Sequence, residues 1–229
     1  MASELAGQCD QIRLGGRQKE LSPRPYRLGQ RASAIAATRS RILSAARQVL
    51  TAKAGLSGFT LDVVARKAGV ARMTVYYQFR SKLGLLEALY DTLSTNGELG
   101  CLPDAFLKPD PLAALLTFID VFIRFWSSDR LLIRRLHALA SLDPEIAQGL
   151  SAREAQRRQG LEVILTRIRE QYGHPTPEKS CDAADALYTL TSFETFDRMA
   201  GCSHRASDVS DSVKRLGLAV VVLYGAEID

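Results

Sequence analysis

Helix-start signals dominate the second half of this chain. At Asp110-Pro111, Asp143-Pro144 and Thr176-Pro177-Glu178, a side chain that can cap a helix stands directly before a proline at the first helical position. Apolar residues recur at helical spacing through most of the sequence, and no long stretch alternates with the two-residue period of a strand. The sequence therefore predicts an all-α fold.

Changes in composition and apolar pattern divide the chain into four parts. Residues 1–33 contain glycines and prolines without apolar periodicity and are predicted to form a flexible basic tail. We expect a three-helix domain with a helix-turn-helix at 34–80, beginning at Ala34, a connecting helix at 81–100, and a C-terminal helical bundle at 101–229. Within the bundle, helices are expected after Asp110 and over 130–140, 144–172, 177–200 and about 208–225.

Positive charge is concentrated in the first two-fifths of the chain. Residues 1–92 contain 15 Lys and Arg against 6 Asp and Glu, whereas residues 93–229 contain 15 against 19. A basic region of this kind is typical of a nucleic-acid-binding module, although a solvated basic face has the same composition. Arginines of the predicted tail (Arg24, Arg27, Arg31) could follow DNA phosphates or make no contact at all.

The segment from Thr60 to Arg80 has the layout of a helix-turn-helix. Gly69 permits the tight turn, and Val75 and Phe79 are predicted to face the core. The opposite face of the second helix then carries Arg72, Met73, Tyr76 and Tyr77 without any acidic residue. Arginine can bind a guanine edge, Met and Tyr can contact thymine methyl groups, and Thr60 and Lys82 start helices whose N-termini attract phosphate.

Residues 59–89, FTLDVVARKAGVARMTVYYQFRSKLGLLEAL, together with the preceding RSRILSAARQVL, resemble the N-terminal DNA-binding region of the TetR family of transcriptional regulators. The resemblance implies DNA contacts at seven positions: Thr60, Arg72, Met73, Thr74, Tyr76, Tyr77 and Lys82. Two departures stand out. Met73 occupies a position that is often small, and Leu83-Gly84 replaces an acidic residue that commonly follows the Ser-Lys pair.

The same resemblance implies that the C-terminal half dimerises and binds a small effector. We expect a homodimeric repressor that binds a palindromic operator and is released by that effector; the alternative is a ligand-independent DNA-binding protein, and activation is not separable from repression. Apolar stripes on the last two helices could pair with a second copy or pack only within the monomer. These stripes are Ala184, Leu187, Tyr188 and Thr191, and Val209, Val213, Leu216, Val220 and Leu223.

Large side chains on the central helices are the candidates for an effector pocket, and their character favours an apolar or aromatic effector. Aromatic residues at helical spacing are more often core than pocket, so the two interpretations remain open. The candidates are Phe118, Phe122, Trp126, His137, Tyr188, Phe193 and Met199, with Phe125 and Phe196 beside them.

The sequence lacks the signatures of other classes of protein. Its three histidines stand in no triad or metal-ligand spacing, and no glycine-rich phosphate loop occurs, so we expect neither catalysis nor a metal or cofactor. The cysteines (Cys9, Cys101, Cys181, Cys202) are scattered and are expected to be reduced thiols. No apolar run reaches the roughly 18 residues of a membrane span, and the N-terminus has no signal-peptide core, so a cytoplasmic location is expected.

Overall fold

The computed structural model describes residues 25–53, 56, 58–173, 177–201 and 205–224. Within these ranges the regular structure is entirely helical, which confirms the predicted all-α fold class. The helices are α1 (Pro25–Thr51), α2 (Leu61–Ala68), α3 (Arg72–Phe79), α4 (Lys82–Asn96), α5 (Leu102–Phe106), α6 (Pro111–Ser128), α7 (Arg130–Ala140), α8 (Pro144–Tyr172), α9 (Pro177–Leu190), α10 (Phe193–Ala200) and α11 (Ala206–Leu223), with a 3-10 turn at Leu99–Cys101.

The chain forms two units, residues 1–38 and residues 39–229. In the first unit the described part is helical from Pro25 onward, so α1 begins earlier than the predicted start at Ala34. Proline at a first helical position is preorganised for a helix. Residues 31–33 are exposed, so the apolar periodicity that identifies a buried helix is absent there. The remainder of the predicted tail, residues 1–24, lies outside the described residues.

Helix α6 forms the centre of the second unit and packs against α4, α5, α8 and α11. Phe118, Phe125 and Trp126 on this helix are fully buried. By length and composition α6 could cross a membrane, but 56% of it is buried within the fold, as in the core helix of a globular domain. Asp110 caps α6 by accepting hydrogen bonds from the backbone N–H groups of Leu112 and Ala113, as its Asp-Pro signal predicts.

The predicted helix over 177–200 is wrong in one respect, because the chain breaks at Thr191 and Ser192 into α9 and α10. Ser192 begins α10 as an N-cap, its Oγ accepting a hydrogen bond from the backbone N–H of Thr195 at 3.2 Å. The carbonyl of Thr191 accepts a hydrogen bond from the indole Nε1 of Trp126 at 2.9 Å. A long-range partner of this kind, on another helix, leaves no local sequence signal.

Candidate DNA interface

Helix α2 and the turn after it set the position of the next helix. The Oγ1 of Thr60 accepts a hydrogen bond from the backbone N–H of Val63, which caps α2. The buried face of α2 is Val64, Ala65 and Ala68. Gly69 then adopts a left-handed conformation with φ 64° and ψ 41°, where a side chain would be strained. The turn is the one that the sequence predicts.

Helix α3 has one buried and one exposed face. Val75 and Phe79 are buried, whereas Met73, Tyr76 and Tyr77 are 52%, 47% and 69% exposed. The side chain of Arg72 is also exposed, and its Nη1 lies 3.3 Å from Oδ2 of Asp62 on α2. Both members of this ion pair face solvent, so the pair costs little to break when another anion approaches. The predicted outward face of α3 is therefore available to a partner.

Thr74 occupies an intermediate position on the same helix. It is half-buried, and its backbone N–H donates to the carbonyl of Ala71 at 2.9 Å. The remaining four α3 residues predicted to contact DNA form the exposed surface, and Thr74 lies at its edge.

Sequence reasoning missed the role of Arg39. Nη1 of Arg39 on α1 donates a hydrogen bond to the carbonyl of Gln78 at 3.2 Å, and its guanidinium lies 4.5 Å from the ring centroid of Phe79. The arginine thus satisfies a carbonyl at the C-terminus of α3, where a positive charge also favours the helix dipole. The available sequence signal was that Arg39 lies at helical spacing from Ile42 and Ala46, which are buried, and therefore on the same face of α1.

The joint between α3 and α4 is tight. Arg80 has φ 66° and ψ −44°, a conformation that side chains seldom adopt, and the N–H of Ser81 donates to the carbonyl of Phe79 at 2.7 Å. The Oγ of Ser81 accepts from the N–H of Gly84 and caps α4. A Cβ on Gly84 would lie 2.2 Å from the carbonyl oxygen of Phe79, so the close approach of the two helices requires glycine.

Lys82, the predicted phosphate contact, lies at the first position of α4. Its Nζ is 3.7 Å from Oδ2 of Asp143, the N-cap of α8, and both side chains are about one-third exposed. Arg47 on α1 makes a second ion pair of this kind, its Nε lying 2.5 Å from Oδ2 of Asp129 before α7. The sequence identified Asp143 as a helix cap but gave no indication of either ion pair.

Most of the aromatic residues predicted to line an effector pocket pack against one another instead. Ring centroids are 4.7 Å apart for Phe118 and Phe122, 5.9 Å for Phe122 and Trp126, and 5.6 Å for Trp126 and Phe193. These distances show that the four rings pack against one another as core residues, and their part in an effector pocket stays a prediction. Phe125 and Phe196 are likewise buried, and Met199 packs against the core.

Two of the predicted pocket residues, His137 and Tyr188, line an open groove of about 910 Å³ between α7, α8, α9 and α10. Nδ1 of His137 lies 2.9 Å from Oε1 of Glu194, and this hydrogen bond holds the pKa of the carboxyl below its usual value despite partial desolvation. Arg157, almost fully buried beneath the groove, binds Glu154 and the carbonyl of Tyr188. Charged side chains line part of this groove, unlike the apolar pocket that the sequence predicted.

The predicted dimer stripes are only partly exposed. Ala184, Leu187 and Thr191 on α9 and its C-terminal end are buried within the chain, as are Val209 and Val213 on α11. The exposed apolar side chains of α11 are Leu216, Val222 and Leu223. The buried members of the stripes pack within the chain, which is the second of the two arrangements that the sequence allowed for them.

Comparison with known proteins gives a consistent result. Residues 42–89 match the family model described as bacterial regulatory proteins, tetR family. Over 83 residues the chain is 40% identical to SrpR and 39% identical to TtgW, two HTH-type transcriptional regulators of Pseudomonas putida. These matches cover 36% of this chain, but 38% of SrpR and 61% of TtgW, so they span less than two thirds of either relative.

Similar solved structures cover much more of the chain. A TetR transcription regulator from Haloarcula marismortui aligns over 82% of this chain and 98% of its own, with a TM-score of 0.63 and 14% identity. The fatty acid degradation regulator FadR from Bacillus halodurans aligns over 83% and 97%, with a TM-score of 0.62 and 17% identity. At such identities the likeness concerns the fold alone. Residues 42–89 thus match the TetR-family model, and the chain as a whole is similar in fold to solved TetR-type regulators.

Proposed function

We propose that this protein is a DNA-binding transcriptional regulator whose helix α3 enters the major groove of an operator. The observation that carries the proposal is the exposed face of α3, which presents Arg72, Met73, Tyr76 and Tyr77 to solvent with no acidic residue on the helix. Arg72 would bind a guanine edge, while the other three contact thymine methyl groups or phosphate oxygens.

Thr60 and Lys82 would hold phosphates on either side of α3, because they stand at the starts of α2 and α4, where free N–H groups and the helix dipole favour anions. Lys82 would exchange its partner Asp143 for a phosphate when DNA binds. These contacts fix the register of α3 on the duplex and carry no sequence information.

A second copy would bind the other half of a palindromic operator. One eight-residue recognition helix reads few bases, so twofold symmetry is needed for specificity. The exposed Leu216, Val222 and Leu223 of α11 support this helix as the apolar centre of a homodimer interface.

A small molecule bound among the C-terminal helices would release the operator, so that the protein acts as a cytoplasmic repressor. Support comes from the contacts between α8 and α4. Besides the pair of Lys82 with Asp143, Nη2 of Arg153 on α8 lies 2.9 Å from Oδ1 of Asp91, and its guanidinium lies 4.3 Å from the ring centroid of Tyr90. A ligand that shifts α8 would therefore shift α4, provided that it binds the DNA-incompetent arrangement more tightly.

The test is fluorescence anisotropy with labelled duplex from the region upstream of the protein's own gene, titrated with and without candidate effectors. We expect specific binding, and Arg72→Ala should weaken it by about 1–3 kcal/mol and relax the preference at one base pair per half-site. Loss of affinity for every sequence equally would make Arg72 a backbone contact. Failure to bind any duplex at low ionic strength would refute the proposal, and specific binding that no small molecule alters would favour the ligand-independent alternative.

A further inference from the structure

A second cavity, separate from the groove at His137, lies between the C-terminal half of α8, the start of α9 and the end of α11. Its volume is about 260 Å³. Much of its wall comes from apolar side chains that are themselves buried, namely Ile168, Ala183, Ala184 and Val221. The buried apolar atoms in this part of the wall favour an apolar group against them, because water there would lack hydrogen-bond partners.

Two polar groups on the same wall have unused binding capacity within the described part of the chain. The Oγ of Ser180 is buried there without a hydrogen-bond partner. Arg169 also lines the cavity, and no described carboxylate lies within ion-pair distance of it. Buried polar groups are nearly always satisfied, so the orphaned Ser180 hydroxyl indicates a missing partner, and the half-buried Arg169 brings a positive charge to the same cavity.

The acidic residue on this wall, Glu162, does not fill that role. Its Oε1 accepts a hydrogen bond from Nε of Arg158 at 3.2 Å, and Arg158 binds Asp185 as well. The negative charge of Glu162 is therefore already paired, whereas no carboxylate in the described part of the chain pairs the positive charge of Arg169. The polar part of the wall is matched to an anion.

We propose that this cavity binds a small monocarboxylate whose apolar body is about the size of one ring. The volume decides the size: a 150 Å³ apolar cavity holds benzene, so about 260 Å³ accommodates a ring with one substituent but no large drug-like molecule. The carboxylate would accept hydrogen bonds from the Ser180 hydroxyl and the Arg169 guanidinium, and charged hydrogen bonds of this kind are the strong ones. The regulatory effect of such a ligand rests on the proposed function, but the binding of the ligand to this cavity does not.

The test is isothermal titration of the full-length protein, free of DNA, with benzoate and with benzamide as a neutral molecule of the same shape. We expect benzoate to bind at least about tenfold more tightly than benzamide, and Arg169→Gln to abolish that preference. The matched control is Arg198→Gln, since Arg198 is exposed on α10 and does not line the cavity. This control should bind benzoate like the wild type.

Cys181 lines the cavity and is accessible, so its alkylation by iodoacetamide locates the ligand. Benzoate should slow the modification of Cys181 severalfold in the wild type and leave it unchanged in Arg169→Gln. Equal affinity for benzoate and benzamide, full benzoate affinity in Arg169→Gln, or unprotected Cys181 would each overturn the proposal. Because DNA binding is measured separately by anisotropy, these outcomes are distinct from a failure of the operator proposal.

Discussion

Replacing Gly84 by alanine should both destabilise the protein and weaken DNA binding. The new Cβ would lie 2.2 Å from the carbonyl oxygen of Phe79 and 3.3 Å from its carbonyl carbon. Both obstacles are backbone atoms, so rotating a side chain cannot relieve the clash, and α3 and α4 must separate by about 1 Å. Such overpacking costs about 1–3 kcal/mol, against which the helix propensity of alanine returns up to about 1 kcal/mol. We expect a net loss of about 1–2 kcal/mol.

The effect on DNA binding follows from the displacement of Phe79 by the clash. Phe79 is the last residue of α3, so relieving the contact tilts the helix that carries Tyr76 and Tyr77. Urea denaturation would measure the free energy of unfolding. Anisotropy with operator duplex would measure affinity, which should fall because the tilt moves Tyr76 and Tyr77 out of register with the groove.

Gly149→Ala provides the control, since Gly149 lies within α8 and its Cβ would meet only side-chain atoms, Leu83 Cδ1 at 3.7 Å and Glu87 Oε1 at 3.8 Å. This variant should gain up to about 1 kcal/mol of stability with unchanged affinity. The reasoning is refuted if Gly84→Ala is as stable as the wild type and binds operator as well as Gly149→Ala does.

Three further changes have defined expectations. Lys82→Met should lower affinity for all duplexes alike and reduce the slope of log affinity against log salt by about 1, measured by anisotropy, because one phosphate contact is lost. Gly69→Ala should cost about 1 kcal/mol or more in urea denaturation, because φ is 64° there. Burial works to raise the pKa of Asp197, but hydrogen bonds from Arg134 and Arg130 outweigh it and hold that pKa below its usual value. The stability that Asp197 gives over Asp197→Asn should therefore be full above about pH 4, the ordinary Asp value, and decline as pH falls through the depressed pKa, measured by urea denaturation at several pH values.

For each of these three predictions, one specific result would contradict the reasoning. Lys108→Met, a change at an exposed lysine beyond α5, is the control for Lys82, and equal salt slopes in the two variants would exclude the phosphate contact. A Gly69→Ala protein that unfolds at the wild-type urea concentration would contradict the strain argument. A stability difference between wild type and Asp197→Asn that grows on acidification would reverse the sign assigned to Asp197.

Local signals in the sequence account for the helices and for the exposed face of α3. Each Asp-Pro pair identified a helix start because the cap and the proline act within one turn. The outward position of Tyr77 and the inward position of Val75 follow from helical geometry alone. These features needed no knowledge of which elements meet in space.

Contacts between distant segments could not be predicted in the same way. Arg39 meets the end of α3, and Lys82 meets Asp143, only because the tertiary fold brings them together. The aromatic residues of α6 illustrate the same limit, since an apolar ring at a helical position suits a core and a pocket equally well. The packing of Phe122 against Trp126 in the structure favours the core interpretation.

Trp126 has a practical consequence for every experiment on this protein. It is the single tryptophan of the sequence, its side chain is fully buried, and its indole N–H is bound to the carbonyl at the break between α9 and α10. Intrinsic fluorescence excited at the indole absorption band therefore reports on the surroundings of Trp126 alone. Its neighbour His137 packs edge-on against the ring, so a change in that contact should alter the emission without any added label.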